Sequence, residues 1–174
     1  MFNKSKKTIK QETILYNNIL VLSRNKLFFT KFNFADTFQN RIYLIFLHIS
    51  FLFIKIRQNS HKEIYKVFNQ KIFDLIFSKI ELDMREIGYG DTVINKNMKF
   101  LVKNFYNILL KCENFSTINT NLKVAFFSKY LVLNDANKND NYTSIIDYFN
   151  NYQAFCFDLS LDSVLKGDLN FNYK

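Results

Sequence analysis

Two histidines and two cysteines are the first side chains to consider as metal ligands, and the two thiols also as nucleophiles. His48 lies inside an apolar run and His61 near a helix start, and neither has an acidic or cysteine companion at ligand spacing. This favours a hydrogen-bonded histidine in or near the core for His48. Cys112 and Cys156 lack C-x-x-C spacing, and Cys112 falls on an apolar helix face. A buried free thiol in a reducing compartment is the resulting interpretation.

A second candidate for chemistry is the segment Gly88-Tyr89-Gly90-Asp91, which holds two of the chain's three glycines. It lacks the third glycine and the Lys-Ser/Thr of a phosphate-binding loop, and it follows a helical pattern rather than a strand. We interpret it as a hinge between two helices, with Gly88 as the left-handed residue that ends the first. Gly90 keeps the turn open, and Asp91 or Asn95 caps the next helix. Tyr89 at the tip could reach a partner.

The sequence shows no Ser/His/Asp arrangement and no paired carboxylates in a plausible cleft. It therefore predicts no catalytic residue, no metal site and no cofactor. The surface that remains for function is a lysine-rich helix face carrying two apolar side chains. Apolar anchors beside cations suit a docking surface, although a solvated face with incidental apolar residues is the alternative. The candidate partner-binding residues are Lys96, Lys99, Phe100, Lys103, Leu110, Lys111 and Tyr89.

Two long helices must position this face. From Glu63 to Ile87, apolar residues recur at helical spacing and leave only a narrow polar stripe, which predicts a helix in the middle of a bundle. The helix after Asp91 is one-sided, with its apolar face opposite the lysines. Because the connection is short, we expect the two helices to pack antiparallel.

The same periodicity predicts the other elements. The fold class is all-α, a single compact domain of about six helices with the central antiparallel pair joined at Gly88–Gly90. Residues 1–10 are expected to form a basic mobile arm and residues 11–170 the helical domain. The helices outside the pair are predicted from about Thr8 to Arg24, from Asp36 or Thr37 to Gln58, from Thr117 to Leu133 and from Tyr142 to Phe157. After Leu159 we expect a short helical turn, a break at Gly167 and a loose tail.

Composition supports long helices and an anionic partner. The 174 residues include no proline, and the formal net charge is +9. The charge lies in the body, while the end of the chain is acidic, which suits RNA, lipid head groups or an acidic protein surface without choosing between them. The longest apolar run, residues 42–54, is too short to cross a bilayer and is more typical of a core helix.

Four blocks of residues, in order, resemble the ubiquinol–cytochrome c chaperone family, whose members assemble the cytochrome bc1 complex. The first is Leu15-Tyr16 with Ile19, and the second runs from Phe28-Phe29 through Asp36-Thr37 and Arg41 to Leu47-His48. The third includes Phe73-Asp74, Phe77 and Arg85-Glu86-Ile87-Gly88-Tyr89-Gly90-Asp91. The fourth holds Lys96, Met98-Lys99 and Phe105-Tyr106.

The resemblance implies a non-enzymatic chaperone that binds and shields newly made cytochrome b. The ribosome and a helper subunit are further candidate partners, and the basic charge adds an anionic membrane surface as another candidate. A basic RNA- or ribosome-binding module and a peripheral membrane-binding protein are the alternatives from other classes. We expect the bacterial cytoplasm beside the inner membrane as the location, or else the matrix side of the mitochondrial inner membrane.

Overall fold

The computed structural model describes residues 10–58, 62–135 and 140–173. These residues contain eight helices and no strand, so the predicted all-α domain is confirmed. The helices are α1 (Gln11–Ser23), α2 (Leu27–Thr30), α3 (Phe38–Arg57), α4 (Lys62–Ile87), α5 (Asp91–Glu113), α6 (Thr120–Tyr130), α7 (Asp140–Asp158) and α8 (Leu161–Lys166). The count exceeds six because α2 and α8 are short helices in segments that we expected to be a connector and a turn. The predicted basic arm, apart from the exposed Lys10, lies outside the described residues.

The helix in the middle of the bundle is α3. Fifteen of its 20 residues are buried, and α1, α4, α5 and α7 all pack against it. By length and apolar composition α3 could cross a membrane, but 83% of its most apolar window is buried inside the fold. It therefore serves as the core helix that residues 42–54 predicted. Thr37 caps its start, accepting a hydrogen bond from the Asn40 backbone N–H at 3.2 Å.

The prediction that α4 lies in the middle of the bundle is wrong. One face of α4 is buried, through residues such as Ile72, Ile76 and Met84, whereas Val67, Leu82 and Ile87 are exposed. Apolar residues around most of a helix predict burial on several sides only when neighbours are available to cover them. Here α3 occupies the central position, so part of the apolar surface of α4 faces solvent.

Helices α4 and α5 lie side by side. The Phe73 ring centroid is 5.5 Å from that of Phe105 and 5.9 Å from that of Tyr106. Phe73 and Phe105 are equally far along the chain from Tyr89 at the connection. Contacts between such positions are those of two helices that run antiparallel from a short loop.

Asn40 joins two distant segments of chain next to α3. Its side-chain amide donates to the carbonyl oxygens of Ala35 at 2.7 Å and Val132 at 2.8 Å, and its Oδ1 accepts from the Val132 N–H at 3.0 Å. An isolated antiparallel bridge between Phe34 and Leu133 continues this pairing. The pairing explains why α6 ends at Tyr130 instead of the predicted Leu133, because the following backbone is extended and bonded to Asn40.

The C-terminal segment is packed rather than loose, so the predicted loose tail is wrong. Gly167 ends α8 in the left-handed region at φ +75°, as the predicted break requires. A Cβ at Gly167 would stand 2.7 Å from the backbone nitrogen of Leu15, so α8 approaches α1 more closely than another residue would allow. Beyond it, the Phe171 and Tyr173 rings contact the ring of Tyr148 at 5.4 and 5.1 Å.

Candidate partner-binding surface

The turn before α5 is built by one of its two glycines. Gly88 has φ +100°, its N–H donates to the Arg85 carbonyl at 3.0 Å, and the Tyr89 N–H donates to the Met84 carbonyl at 3.1 Å. This pair of bonds is the usual way in which a glycine ends a helix, and it confirms the role predicted for Gly88. Gly90 has φ −74°, which any residue can adopt, and a Cβ there would meet nothing within 4 Å. The conformation of the turn therefore depends on Gly88 and not on Gly90.

The predicted cap of α5 is wrong. Gly90 occupies the N-cap position without a side-chain hydrogen bond, and Asp91 is the first residue of the helix. The Asp91 carboxylate instead accepts from Arg85 Nη1 at 2.5 Å, while Arg85 Nη2 donates to Glu81 at 2.9 Å. These hydrogen bonds raise the pKa of Arg85 above its ordinary value, Glu81 contributing most. Arg85 thus ties the end of α4 to the start of α5, although exposed ion pairs stabilise a fold only slightly.

One face of α5 is anchored on α3. Ile94, Leu101, Phe105 and Ile108 are buried, and Asn104 donates from its side-chain amide to the Tyr43 hydroxyl at 2.8 Å. Cys112 ends this buried face, and burial raises the pKa of its thiol. A thiol held in that protonated state is a packing group rather than a nucleophile, as predicted. The opposite face of α5 is consequently presented to solvent by a fixed helix.

This opposite face carries all the predicted partner-binding residues of α5, and every one of them is exposed. Phe100 retains 56% and Leu110 retains 60% of its accessible area. At about 100° per residue, the six positions fall within roughly one third of the helix circumference. They extend for about 22 Å along the axis, at about 1.5 Å per residue. We call Lys96, Lys99, Phe100, Lys103, Leu110 and Lys111 the lysine face. That it binds a partner stays a prediction.

Tyr89 is not part of the lysine face. It lies in the connection between α4 and α5, where its side chain is 44% exposed. Ile87 and Val93, on either side of the turn, are also exposed. The tip is therefore a separate small apolar surface, and its contact with a partner likewise stays a prediction.

Two grooves flank the C-terminal half of α5. The first, of about 630 Å³, lies between α5 and α6. We call it the α5–α6 groove. Leu110 and Lys111 of the lysine face form its α5 side, and Leu122, Phe126 and Lys129 are on the α6 side. The structure thus joins the end of the predicted face to an apolar depression that periodicity could not reveal.

The second groove, of about 590 Å³, lies among α3, α4 and α5, and we call it the aromatic groove. Its apolar walls come from all three helices, and Arg57, Lys66 and Asn69 add polar atoms. Both volumes are in the range of ligand-binding clefts, roughly 300–1,000 Å³. The rings that form its walls are those of Phe53, Tyr65, Phe73, Phe105 and Tyr106.

Sequence reasoning did not identify Leu122, Tyr65, Asn69 or Tyr106 as functional candidates. Tyr106 carried a usable signal, because helical spacing places this aromatic residue outside the apolar stripe of α5. The structure finds it exposed. For the other three no such signal exists, since each gains its role only from a neighbouring helix that is distant in the sequence.

His48 is a structural residue of the core, as predicted. Its Nδ1 lies 2.6 Å from the Leu44 carbonyl and its Nε2 lies 2.8 Å from the Tyr148 hydroxyl. An Nδ1–H that donates to the carbonyl leaves Nε2 to accept from the tyrosine. Burial lowers the pKa of His48 to about 4, so the ring is neutral near pH 7. In the part of the chain that the structure describes, no group of three His, Cys, Asp or Glu side chains could hold a metal ion.

Comparisons with known proteins agree with this architecture. The crystal structure of the Cbp3 homolog from Brucella abortus superposes with a TM-score of 0.79, covering 94% of this chain and 89% of that one at 20% sequence identity. This similarity concerns the fold alone. No curated protein sequence gives a significant match. The ubiquinol–cytochrome C chaperone family model matches residues 30–123, from α2 into α6 and including the lysine face. The chain therefore belongs to the ubiquinol–cytochrome c chaperone family.

Proposed function

We propose that this chain is a non-enzymatic assembly chaperone of the cytochrome bc1 complex that binds and shields newly made cytochrome b. Family membership supports the assembly role. The observation that carries the binding role is the lysine face, where Phe100 and Leu110 stand exposed among four lysines on a helix whose other face is fixed in the core. Exposed apolar surface that is rimmed by charged residues is typical of sites that bind another protein, and Leu110 continues into the α5–α6 groove, where Leu122 is also exposed.

The mechanism is shielding by docking. An unassembled membrane subunit exposes apolar surfaces that its future neighbours will cover. Phe100 and Leu110 supply apolar contact, which provides affinity, while the lysines attract acidic segments and set the orientation. Because α5 is packed on α3, little ordering of the chaperone is needed when the partner binds, and its affinity is less reduced by lost entropy.

The groups that could do chemistry support binding rather than catalysis. Burial keeps His48 neutral and raises the pKa of Cys112 and that of Cys156. These side chains therefore neither contact solvent nor reach the ionised forms that general acid–base or nucleophilic catalysis uses. The lysine face can bind and orient a partner without any of them.

A peripheral membrane role is a second candidate, favoured by the same four lysines and by the net charge of +9. Cations beside exposed Phe100 suit an anionic lipid surface, and cytochrome b is itself inserted into a membrane. Flotation with vesicles of anionic and of neutral lipid tests it. This role is supported if the protein binds only to anionic vesicles and if Lys96→Gln/Lys99→Gln/Lys103→Gln abolishes that binding. Equal flotation of the triple variant contradicts it. We further propose a location at the inner membrane, on its cytoplasmic side in a bacterium or on its matrix side in a mitochondrion, and the ribosome and a helper subunit as further partners.

The proposed function is tested by deleting the gene and by purifying the tagged protein from native membranes. We expect the deletion to lower the amount of assembled bc1 complex and the purification to enrich cytochrome b. Phe100→Glu/Leu110→Glu should abolish the enrichment. Val21→Glu is the control, because Val21 is an exposed apolar residue on α1 that this proposal does not use. Normal bc1 levels in the deletion strain, together with no recovery of cytochrome b, would disprove the proposal.

A further inference from the structure

The end of the chain is held in place by its side chains and not by its backbone. Leu169 is buried and Phe171 and Tyr173 are partly buried, whereas the residues between them are exposed. Alternation with a period of two is that of an extended segment with one face turned inward. Within the described part of the chain, residues 169–173 make no backbone–backbone hydrogen bond. We call residues 168–173 the C-terminal strap.

Two rings of the C-terminal strap lie on aromatic side chains of α7. The Phe171 ring centroid is 5.1 Å from that of Tyr152 and 5.4 Å from that of Tyr148. The Tyr173 ring is 5.1 Å from that of Tyr148, and its hydroxyl donates to the Asp147 carboxylate at 2.8 Å. The surface beneath the strap therefore offers places for two rings and one hydrogen-bond acceptor. We call it the α7 site, and its residues are Phe32, Asp147, Tyr148, Tyr152 and Phe155.

The α7 site is fixed by contacts with the core as well as by the strap. The Tyr148 hydroxyl donates to His48 Nε2 at 2.8 Å, and the Tyr148 ring lies edge-on to that of Phe28 at 4.9 Å. The Tyr152 ring contacts the His48 ring at 4.8 Å. These contacts remain when the strap leaves, so we expect the site to keep its shape. A preformed site loses little entropy when a segment binds to it.

The C-terminal strap starts from a fixed point at the end of α8. The Asp168 N–H donates to the Ser163 carbonyl at 2.8 Å, and the Asn18 side chain donates to the Gly167 carbonyl. Helix α8 is thereby held on α1. Beyond this point the backbone is exposed and only three side chains turn inward. Segments with few buried contacts and an exposed backbone open at a lower free energy than the rest of a fold. The strap can therefore open while α8 stays in place.

We propose that the C-terminal strap is detachable and that the α7 site is a docking site for an extended partner segment with two aromatic side chains separated by one residue. The strap, which is seated on the site, shows the chemistry of this occupant: one ring lies on Tyr152, and the second, a tyrosine, donates to Asp147. Aromatic side chains suit this role because each buries a large area. The closed strap covers the site until a partner segment replaces it. No residue of the lysine face takes part, so this inference goes beyond the proposed function.

The experiment is an NMR titration of the full ¹⁵N-labelled chain with the peptide Asp-Leu-Asn-Phe-Asn-Tyr-Lys, which has the sequence of residues 168–174. In Phe171→Ser/Tyr173→Ser the strap loses both rings, so we expect the peptide to bind and to shift the amides of residues 147–155. The wild type should bind it at least about tenfold more weakly, because its own strap competes at a high effective concentration. The same peptide with serine for both aromatic residues should not bind. Equal affinity of the wild type and the variant, or no binding to either, would overturn the inference.

Asn170→Ser/Asn172→Ser is the matched control, because it changes two exposed residues of the same strap. Its affinity for the peptide should equal that of the wild type. Tyr173→Phe is a milder variant that removes only the hydrogen bond to Asp147, and it should bind the peptide several-fold more tightly than the wild type does. An affinity of Tyr173→Phe equal to that of the wild type would contradict the inference.

The fold of Phe171→Ser/Tyr173→Ser distinguishes a detachable strap from a part of the core. If the strap opens by itself, this variant should keep the helical circular dichroism of the wild type and lose at most about 5 °C in its thermal midpoint. Loss of the helical signal would show that the strap belongs to the cooperative core, and it would overturn the inference. No cytochrome b enters these experiments, so their failure would leave the test of the proposed function intact.

Discussion

Helix α3 places several polar side chains in the core, whereas helix α5 places two large apolar side chains in solvent. In α3, polar side chains lie inside the core and are satisfied there: Asn40 and His48 are fully buried, and the Ser50 hydroxyl donates to the Phe46 carbonyl at 2.7 Å. In α5, Phe100 and Leu110 lie outside, exposed to water among lysines. The polar groups of α3 therefore hold the fold together, whereas the exposed apolar groups of α5 belong to the surface where we propose that another molecule binds.

This contrast predicts that replacing a buried polar residue of α3 lowers the stability of the fold. Replacing an exposed polar residue of α5 should leave the stability almost unchanged. The largest effect is expected for Asn40→Ala, which removes three hydrogen bonds and leaves the Val132 N–H without a partner. We expect a loss of about 3–4 kcal/mol in the free energy of unfolding, measured by urea denaturation, and a thermal midpoint lower by about 10 °C. Asn95→Ala, at an exposed position of α5, should change stability by less than about 0.5 kcal/mol. Equal losses of stability in Asn40→Ala and Asn95→Ala would contradict this difference between α3 and α5.

The lowered pKa of His48, in α3, predicts that the stability of the fold depends on pH. This pKa is about 4 in the folded protein against an ordinary 6.5, so between these values the unfolded chain binds a proton that the folded chain does not. The stability from His48 is complete above about pH 6.5 and is lost as the pH falls towards 4, by about 3 kcal/mol. The measurement is urea unfolding from pH 7.5 to 4, comparing the wild type with His48→Gln. The variant should show a shallower loss. An identical slope would mean that His48 does not titrate as described.

The glycines at helix ends sharpen the contrast between buried and exposed turns. Gly167→Ala should destabilise by more than about 2 kcal/mol, because it adds a backbone clash with Leu15 to a left-handed conformation. Gly88→Ala has the conformational strain without the clash and should cost about 1 kcal/mol. Gly90→Ala should lie within about 0.5 kcal/mol of the wild type. Thermal unfolding of the three variants gives the ranking. A loss for Gly90→Ala as large as that for Gly88→Ala would contradict the geometry of the turn.

The smallest effect on stability is expected for the lysine face. Lys96→Gln/Lys99→Gln/Lys103→Gln should change the free energy of unfolding by less than about 0.5 kcal/mol, since the three side chains are exposed. The recovery of cytochrome b from native membranes should nevertheless fall several-fold, and most strongly at low salt. Lys26→Gln/Lys31→Gln/Lys71→Gln makes the same charge change at exposed positions elsewhere. Equal losses of recovery in both triple variants would show that net charge matters and the lysine face does not.

Much of the candidate site was predictable because it depends on local order along one helix. Spacing alone placed the lysines, Phe100 and Leu110 on one side of α5, since a helix maps residue number directly onto direction. Gly88 was equally predictable, because a helix end needs a residue that tolerates positive φ. The prediction that Asp91 caps α5 was wrong because it depends on a contact between two helices. The Asp91 carboxylate accepts a hydrogen bond from Arg85, on the preceding helix.

The sequence by itself determined the all-α class, the turn at Gly88, the buried His48 and the lysine face, because each follows from the periodicity of a single helix or the conformation of a single residue. Only the tertiary structure decided that α3 and not α4 is central, that Asn40 holds the segment around Val132, and that an aromatic groove opens among α3, α4 and α5. Those features require residues that are far apart in the chain to meet. Hydrophobic periodicity shows which side of a helix avoids water, but it does not show which neighbour covers that side.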